Sequence, residues 1–157
     1  MRAWAPLVAR TKLQVARTVV SEARFYFDDG GVRVEIDLDS YVKSGAIEIV
    51  DVALAELRTF LTLFDPSYAE KLDAGEAESL AYLLAAPSET RICSADAIVF
   101  RVLGNLDRGE QGASLEEVLK EAGLARKLPT QFCRKFRIDY SARGVTERLQ
   151  GTGAKPK

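Results

Sequence analysis

The chain contains no histidine. That absence removes serine–histidine and cysteine–histidine triads, histidine-ligated zinc and the usual proton carrier near neutral pH. Cysteine is scarce: Cys93 and Cys133 are too few and too far apart for a disulfide framework or a zinc motif. Both read as core thiols, Cys93 within a buried strand. No apolar run approaches the roughly 20 residues of a membrane span, and Met1 to Gln14 has neither a hydrophobic signal core nor a small-residue cleavage site. Length and composition fit one soluble domain with a substantial core, and the cytoplasm is the expected compartment. Chemistry in such a chain must use carboxylates, lysine, tyrosine or a bound metal.

Charge is plentiful and unevenly spread. From Arg126 to Lys157 nine Lys and Arg face only Asp139 and Glu147, a balance of +7, which leaves −8 on residues 1–125 within an overall −1. A basic terminal segment can follow a phosphate backbone, whereas an acidic body with a metal-ready cleft repels nucleic acid until cations neutralise it. The plainer alternative is a solvated end, and QGTGAKPK (150–157) has the composition of a disordered tail.

The most informative stretch is DAGEAESLAYLLAAPSETRICSADAI, Asp73 to Ile98. A helix is expected to start at Asp73 or Ala74, carry Glu76 and Glu78 in its first turn, bury Ala77, Leu80, Ala81 and Leu84, and end near Pro87. Thr90 to Cys93 follows as a short buried strand, and Ser94-Ala95-Asp96 opens a second helix through Ile98, Val99, Val102 and Leu103. A helix feeding a strand in an α/β layer runs antiparallel to it, so Glu76 and Asp96 are expected to face each other at the carboxyl edge, where open α/β sheets place ligands. Hard oxygen ligands at one edge suit Mg²⁺ or Mn²⁺. The purely structural alternative is that both acids serve the helix starts they occupy.

Elsewhere, Trp4 to Ala9 reads as a short helix and Lys12 to Val15 as a short strand. Thr18 to Phe27 favours a helix whose aromatic end could equally begin a strand. It carries Glu22, the first acid of the chain, among apolar neighbours; either it has a partner or it looks outward from a half-buried helix. Asp28 to Gly31 is a turn, Val32 to Leu38 a half-exposed edge strand, Ser40 to Lys43 a helical turn stopped at Gly45, and Ile47 to Val50 a strand. Asp51 is a weak fourth candidate ligand or a cap. Ala53 to Phe64 forms an apolar helical stripe ended by Asp65-Pro66. Gly104 to Ala113 reads as a polar loop, Ser114 to Glu117 as a capping box with Gly123 as the stop, and a last helix from Pro129 places Phe132 and Phe136 one turn apart among basic residues.

LDAGEAESLA (72–81), the strand after it and CSADA (93–97) resemble the second half of the PIN-domain family. Val20-Ser21-Glu22-Ala23 resembles the segment bearing that family's second acid, and Asp37 to Gly45 and Ala113 to Leu119 are similar to its linking elements. The resemblance implies a three-layer α/β/α fold with a mostly parallel central sheet over residues 1–125, followed by a basic C-terminal helix and flexible tail over 126–157. It implies a Mg²⁺- or Mn²⁺-dependent ribonuclease, with Glu22, Glu76 and Asp96 as metal-holding catalytic acids, Ser94 as a supporting hydroxyl and single-stranded RNA as substrate. A homo-oligomer or an antitoxin-type protein partner is compatible with it.

The family opens on a central strand ending in an anchoring Asp, yet residues 1–21 contain no acid. The expectation is that this strand and its acid are missing, and that another segment or a second copy fills the gap in the sheet. The competing expectation is a degenerate PIN-like module that binds nucleic acid or protein through its basic C-terminal segment without catalysis.

Overall fold

The computed structural model describes residues 4–27 and 30–155. Asp28 and Asp29 of the expected turn, and Pro156 and Lys157 of the tail, lie outside the described residues. The protein is a mixed α/β chain whose described strands form three two-stranded sheets. It divides into two compact units, Met1–Asp51 and Val52–Lys157.

In the first unit, α1 (Trp4–Val8) and β1 (Leu13–Ala16) form as their patterns predict. The ambiguous segment that follows splits into α2 (Arg17–Glu22) and β2 (Phe25–Phe27), because the chain leaves the helix at Ala23. β2 pairs antiparallel with β3 (Arg33–Glu35). The expected edge strand is thus shorter than its alternation suggested, since Leu38 begins α3 (Leu38–Lys43), where the Asp37 side chain accepts the Ser40 N–H at 3.1 Å. Gly45, at φ 73°, stops that helix. β4 (Ile47–Val50) then lies parallel to β1, Leu13 opposite Ile47 and Ala16 opposite Val50. Val8, Leu38 and Ile47 form the buried centre, with Leu13, Val15, Val20 and the edge-to-face pair Trp4–Tyr41 around them. Asp51 is an ion-pair partner of Arg17, and the cap of the next helix is Ala53.

The second unit begins with α4 (Leu54–Thr62) and α5 (Pro66–Ala69), a short turn of helix with proline in its first positions. α6 (Ala74–Ala85), β5 (Ile92–Cys93) and α7 (Ala97–Asn105) follow in the expected order. The strand is shorter and more open than expected, and Cys93 is exposed rather than buried. β5 pairs parallel with β6 (Gly112–Ala113), so α7 is the crossover between two parallel strands. The stretch expected to be a polar loop therefore supplies the end of α7, a 3₁₀ turn at Gly109–Gln111 and β6, with Asn105 and Gln111 buried. α8 (Leu115–Glu121), a second 3₁₀ turn at Thr130–Phe132 and α9 (Arg134–Leu149) complete the unit.

Its core is Phe60, Phe64, Tyr68, Leu80, Leu83, Val99, Phe100, Val102 and Leu103. α9 packs on α7 through two glycines. A Cβ on Gly104 would stand 2.0 Å from the Ser141 carbonyl oxygen, and one on Gly144 2.0 Å from that of Arg101. Only glycine allows backbones so close. Half-buried Phe136 meets Phe100 edge-on, with centroids 6.3 Å apart, and packs against the core. The tail is also fastened: the Asp65 N–H donates to Gly153 O at 2.9 Å, and the Asn105 side chain holds both Thr152 O and the Ala154 N–H. Thr152 O, Gly153 O and the N–H groups of Ala154 and Lys155 thus find partners in the unit, which the small, polar composition of the tail did not reveal. No helix among the described residues is long and apolar enough to cross a membrane.

Candidate functional site

Two helix starts in the second unit carry the acids singled out by sequence. At α6 the Asp73 carboxylate accepts the Glu76 N–H at 2.7 Å, and Glu76 Oε2 accepts the Asp73 N–H at 3.1 Å, a reciprocal capping box. At α7 the Asp96 carboxylate accepts the Ile98 N–H at 3.0 Å. Ser94 Oγ accepts the Asp96 N–H at 3.0 Å, so its hydroxyl shapes the turn that presents Asp96.

The caps do not exhaust these side chains. Glu76 and Asp96 are near enough for the charge of Asp96 to act on the Glu76 carboxyl. Neighbouring carboxylates disfavour ionising together. Partial burial pushes the Glu76 carboxyl up to about 7; the Asp73 backbone N–H pulls it down, and the charges of Asp73 and Asp96 raise it further. The result is a protonated carboxyl poised near neutrality, able to give up its proton to a base or to an arriving cation.

Glu22, the third acid assigned by resemblance, belongs to the first unit, at the exposed C-terminal end of α2. Within the second unit, Glu78 lies on the buried face of α6 at 7% exposure. Among the described residues no group of three or more Cys, Asp or Glu side chains is placed to hold a metal ion. Glu76 and Asp96 fit part of a hard-cation site: two oxygen donors, one carrying an exchangeable proton.

A second ionic centre escaped the sequence reading. Ser114 starts α8 with the expected capping box, its Oγ accepting the Glu117 N–H at 3.2 Å while Glu117 Oε2 accepts the Ser114 N–H at 2.9 Å. The Glu117 carboxylate also receives Nε and Nη2 of buried Arg137, at 2.9 and 3.0 Å, and Arg134 at 3.2 Å. Burial alone would raise this carboxyl, but the Arg137 fork and the Ser114 donors hold it at about 2. The available signal was a glutamate in a capping box upstream of a basic run. Nothing local joined them. Comparison with known proteins finds no matching family model, curated protein or solved structure.

Proposed function

We propose that the chain is a PIN-like domain of three-layer α/β/α type acting as a Mg²⁺- or Mn²⁺-dependent ribonuclease on single-stranded RNA, with Glu76 and Asp96 as metal ligands. The observation that carries this reading is the placing of Glu76 and Asp96 at the starts of α6 and α7, near enough for the Asp96 charge to raise the Glu76 carboxyl. A bound divalent cation would supply an activated water and neutralise charge on the scissile phosphate. The residues of the chain contribute geometry and proton inventory. The Ser94–Asp96 turn holds Asp96 at the start of α7, the Asp73 cap holds Glu76 on α6, and a bound cation would displace the proton that Glu76 carries near neutrality. Glu22, the third acid that the same resemblance assigns, belongs to the first unit. Parallel pairing of β5 and β6 across α7 supports the α/β/α reading.

The test is Mn²⁺-dependent cleavage of a single-stranded RNA oligonucleotide by the full chain and by Glu76→Gln and Asp96→Asn. Loss of cleavage in both variants, each with an unchanged far-ultraviolet circular dichroism spectrum, is the expected result. Cleavage that persists in both would place the chemistry elsewhere. The second reading, an interaction module without catalysis, draws on the arginines of α9. It predicts RNA binding with no cleavage, insensitive to either substitution.

A further inference from the structure

At the end of α7 opposite Asp96, an open groove of about 810 Å³ runs between the 106–111 turn and the first half of α9. Three of its lining residues are arginines: Arg108, Arg134 and Arg137. Their engagements differ. Arg137, 8% exposed, has both Glu117 oxygens on Nε and Nη2 and Gly109 O on Nη1 at 3.3 Å, so it braces the wall. Arg134, with 63% of its side chain exposed, shares Glu117 from outside and keeps further N–H donors toward solvent. Arg108 donates from Nη1 to the neutral Gln111 Oε1 at 2.9 Å and has no carboxylate partner among the described residues.

The acids of the groove do not cancel this. Asp107 is paired with Arg148 at 3.3 Å, Glu117 is held by two arginines, and Glu110 is the remaining exposed carboxylate. The turn itself is shaped to present Arg108. Asp107 adopts φ 62° while its N–H and that of Arg108 close onto Gly104 O and Leu103 O, a Schellman end made without glycine. A non-glycine residue in this conformation is disfavoured and marks a position over-determined by its surroundings. Ser141, another lining residue, keeps its Oγ buried with no hydrogen-bond partner among the described residues.

We propose that this groove is a phosphate subsite, in which Arg108 and Arg134 hold backbone phosphates of the single-stranded polynucleotide whose other end reaches Glu76 and Asp96. The identity of the strand rests on the ribonuclease reading; the anion preference rests on the arginines. Guanidinium forks match phosphate oxygens in pairs. An open groove gives a small anion little desolvation, whereas a strand gathers several contacts at once. The nine residues of α7 span roughly 13 Å at about 1.5 Å each, or roughly four nucleotides of a stacked strand at about 3.4 Å per nucleotide.

The experiment is fluorescence anisotropy of a labelled 12-nucleotide oligouridylate with the full chain in EDTA, where metal binding and cleavage are silent, across a salt series. The groove predicts salt-dependent binding that Arg108→Glu weakens by about 10-fold or more, with a shallower salt slope by about one, and that Glu110→Gln tightens. Arg108→Gln, which keeps a neutral partner for Gln111, should weaken binding in the same direction and guards against a misfolded charge reversal. No binding in EDTA, or equal affinity in the parent and both Arg108 variants, would overturn the proposal. So would displacement by millimolar inorganic phosphate as complete as that by unlabelled oligonucleotide, which would make the groove a small-anion site. Arg108-dependent binding without any Mn²⁺-dependent cleavage would keep the subsite and sink the ribonuclease reading. Cleavage without Arg108 dependence would do the reverse.

Discussion

Helices α6 and α8 begin on the same local device, a capping box with glutamate at its third position, yet Glu76 is pushed up to about 7 and Glu117 is held at about 2. Both carboxyls are partly buried, and burial raises both. What separates them is the next neighbour. Glu76 looks toward two more acids, Asp73 and Asp96; Glu117 looks toward Arg137, Arg134 and a hydroxyl. Surrounded by acids, a box carries a carboxyl that holds its proton up to near neutrality. Surrounded by arginines, it becomes a fastening between helices. The motif fixes the helix start, and long-range packing fixes the chemistry.

The largest effect is expected at Arg137. Arg137→Ala leaves Glu117 among buried groups without its fork, and breaking a buried pair in this way costs about 3–5 kcal/mol. Thermal denaturation should show a large drop in Tm at pH 7. The loss should shrink toward pH 2, where the parent chain also loses the contribution of the pair. The sign follows from the lowered carboxyl: its stabilisation is complete above the ordinary 4.5 and fades as pH falls toward about 2.

A smaller effect separates the two caps. Ser114→Ala removes a cap and a donor to Glu117, and should cost about 1–2 kcal/mol. Asp73→Ala removes a cap of the same kind but also an acid that repels Glu76, so chemical denaturation at pH 7 should show a smaller loss. Equal losses would mean that the acids around Glu76 do not feel one another.

The smallest effect is the pH profile of Glu76 itself. Because the folded carboxyl holds its proton more tightly than the unfolded one, its contribution is complete below the ordinary 4.5 and is lost as pH rises through about 7. Glu76→Gln should flatten this descending segment in EDTA, leaving the variant at least as stable as the parent chain above pH 7. A parent profile with no such fall between these values would contradict the raised Glu76 carboxyl.

Much of this was legible in the sequence because it is local. Asp73 with Glu76, Asp96 before Ile98 and Ser114 with Glu117 are signals spanning two or three residues, and each forms the cap that its spacing predicts. Glu76 and Asp96 could also be brought together from sequence, since one helix and one short strand separate them. Contacts that depend on distant segments were not legible. The Arg137–Glu117 fork joins residues 20 apart, and the tail fastening joins Asn105 to Thr152, 47 apart. The Gly104–Gly144 crossing depends on which faces of α7 and α9 meet, and glycine in a helix reads locally only as a weak point. The opening of Cys93 to solvent was missed for a related reason: a short β-branched run looks buried whenever its neighbours are unknown.

The most direct measurement is calorimetric titration of Mn²⁺ into the chain at pH 6.5, in two buffers of different ionisation enthalpy, beside Asp96→Asn. The account predicts saturable binding at one site, a buffer dependence that reports release of most of one proton, and loss of both in Asp96→Asn. Binding without proton release, binding that survives Asp96→Asn, or no saturable binding at all would contradict the claim that Glu76 and Asp96 form a cation site.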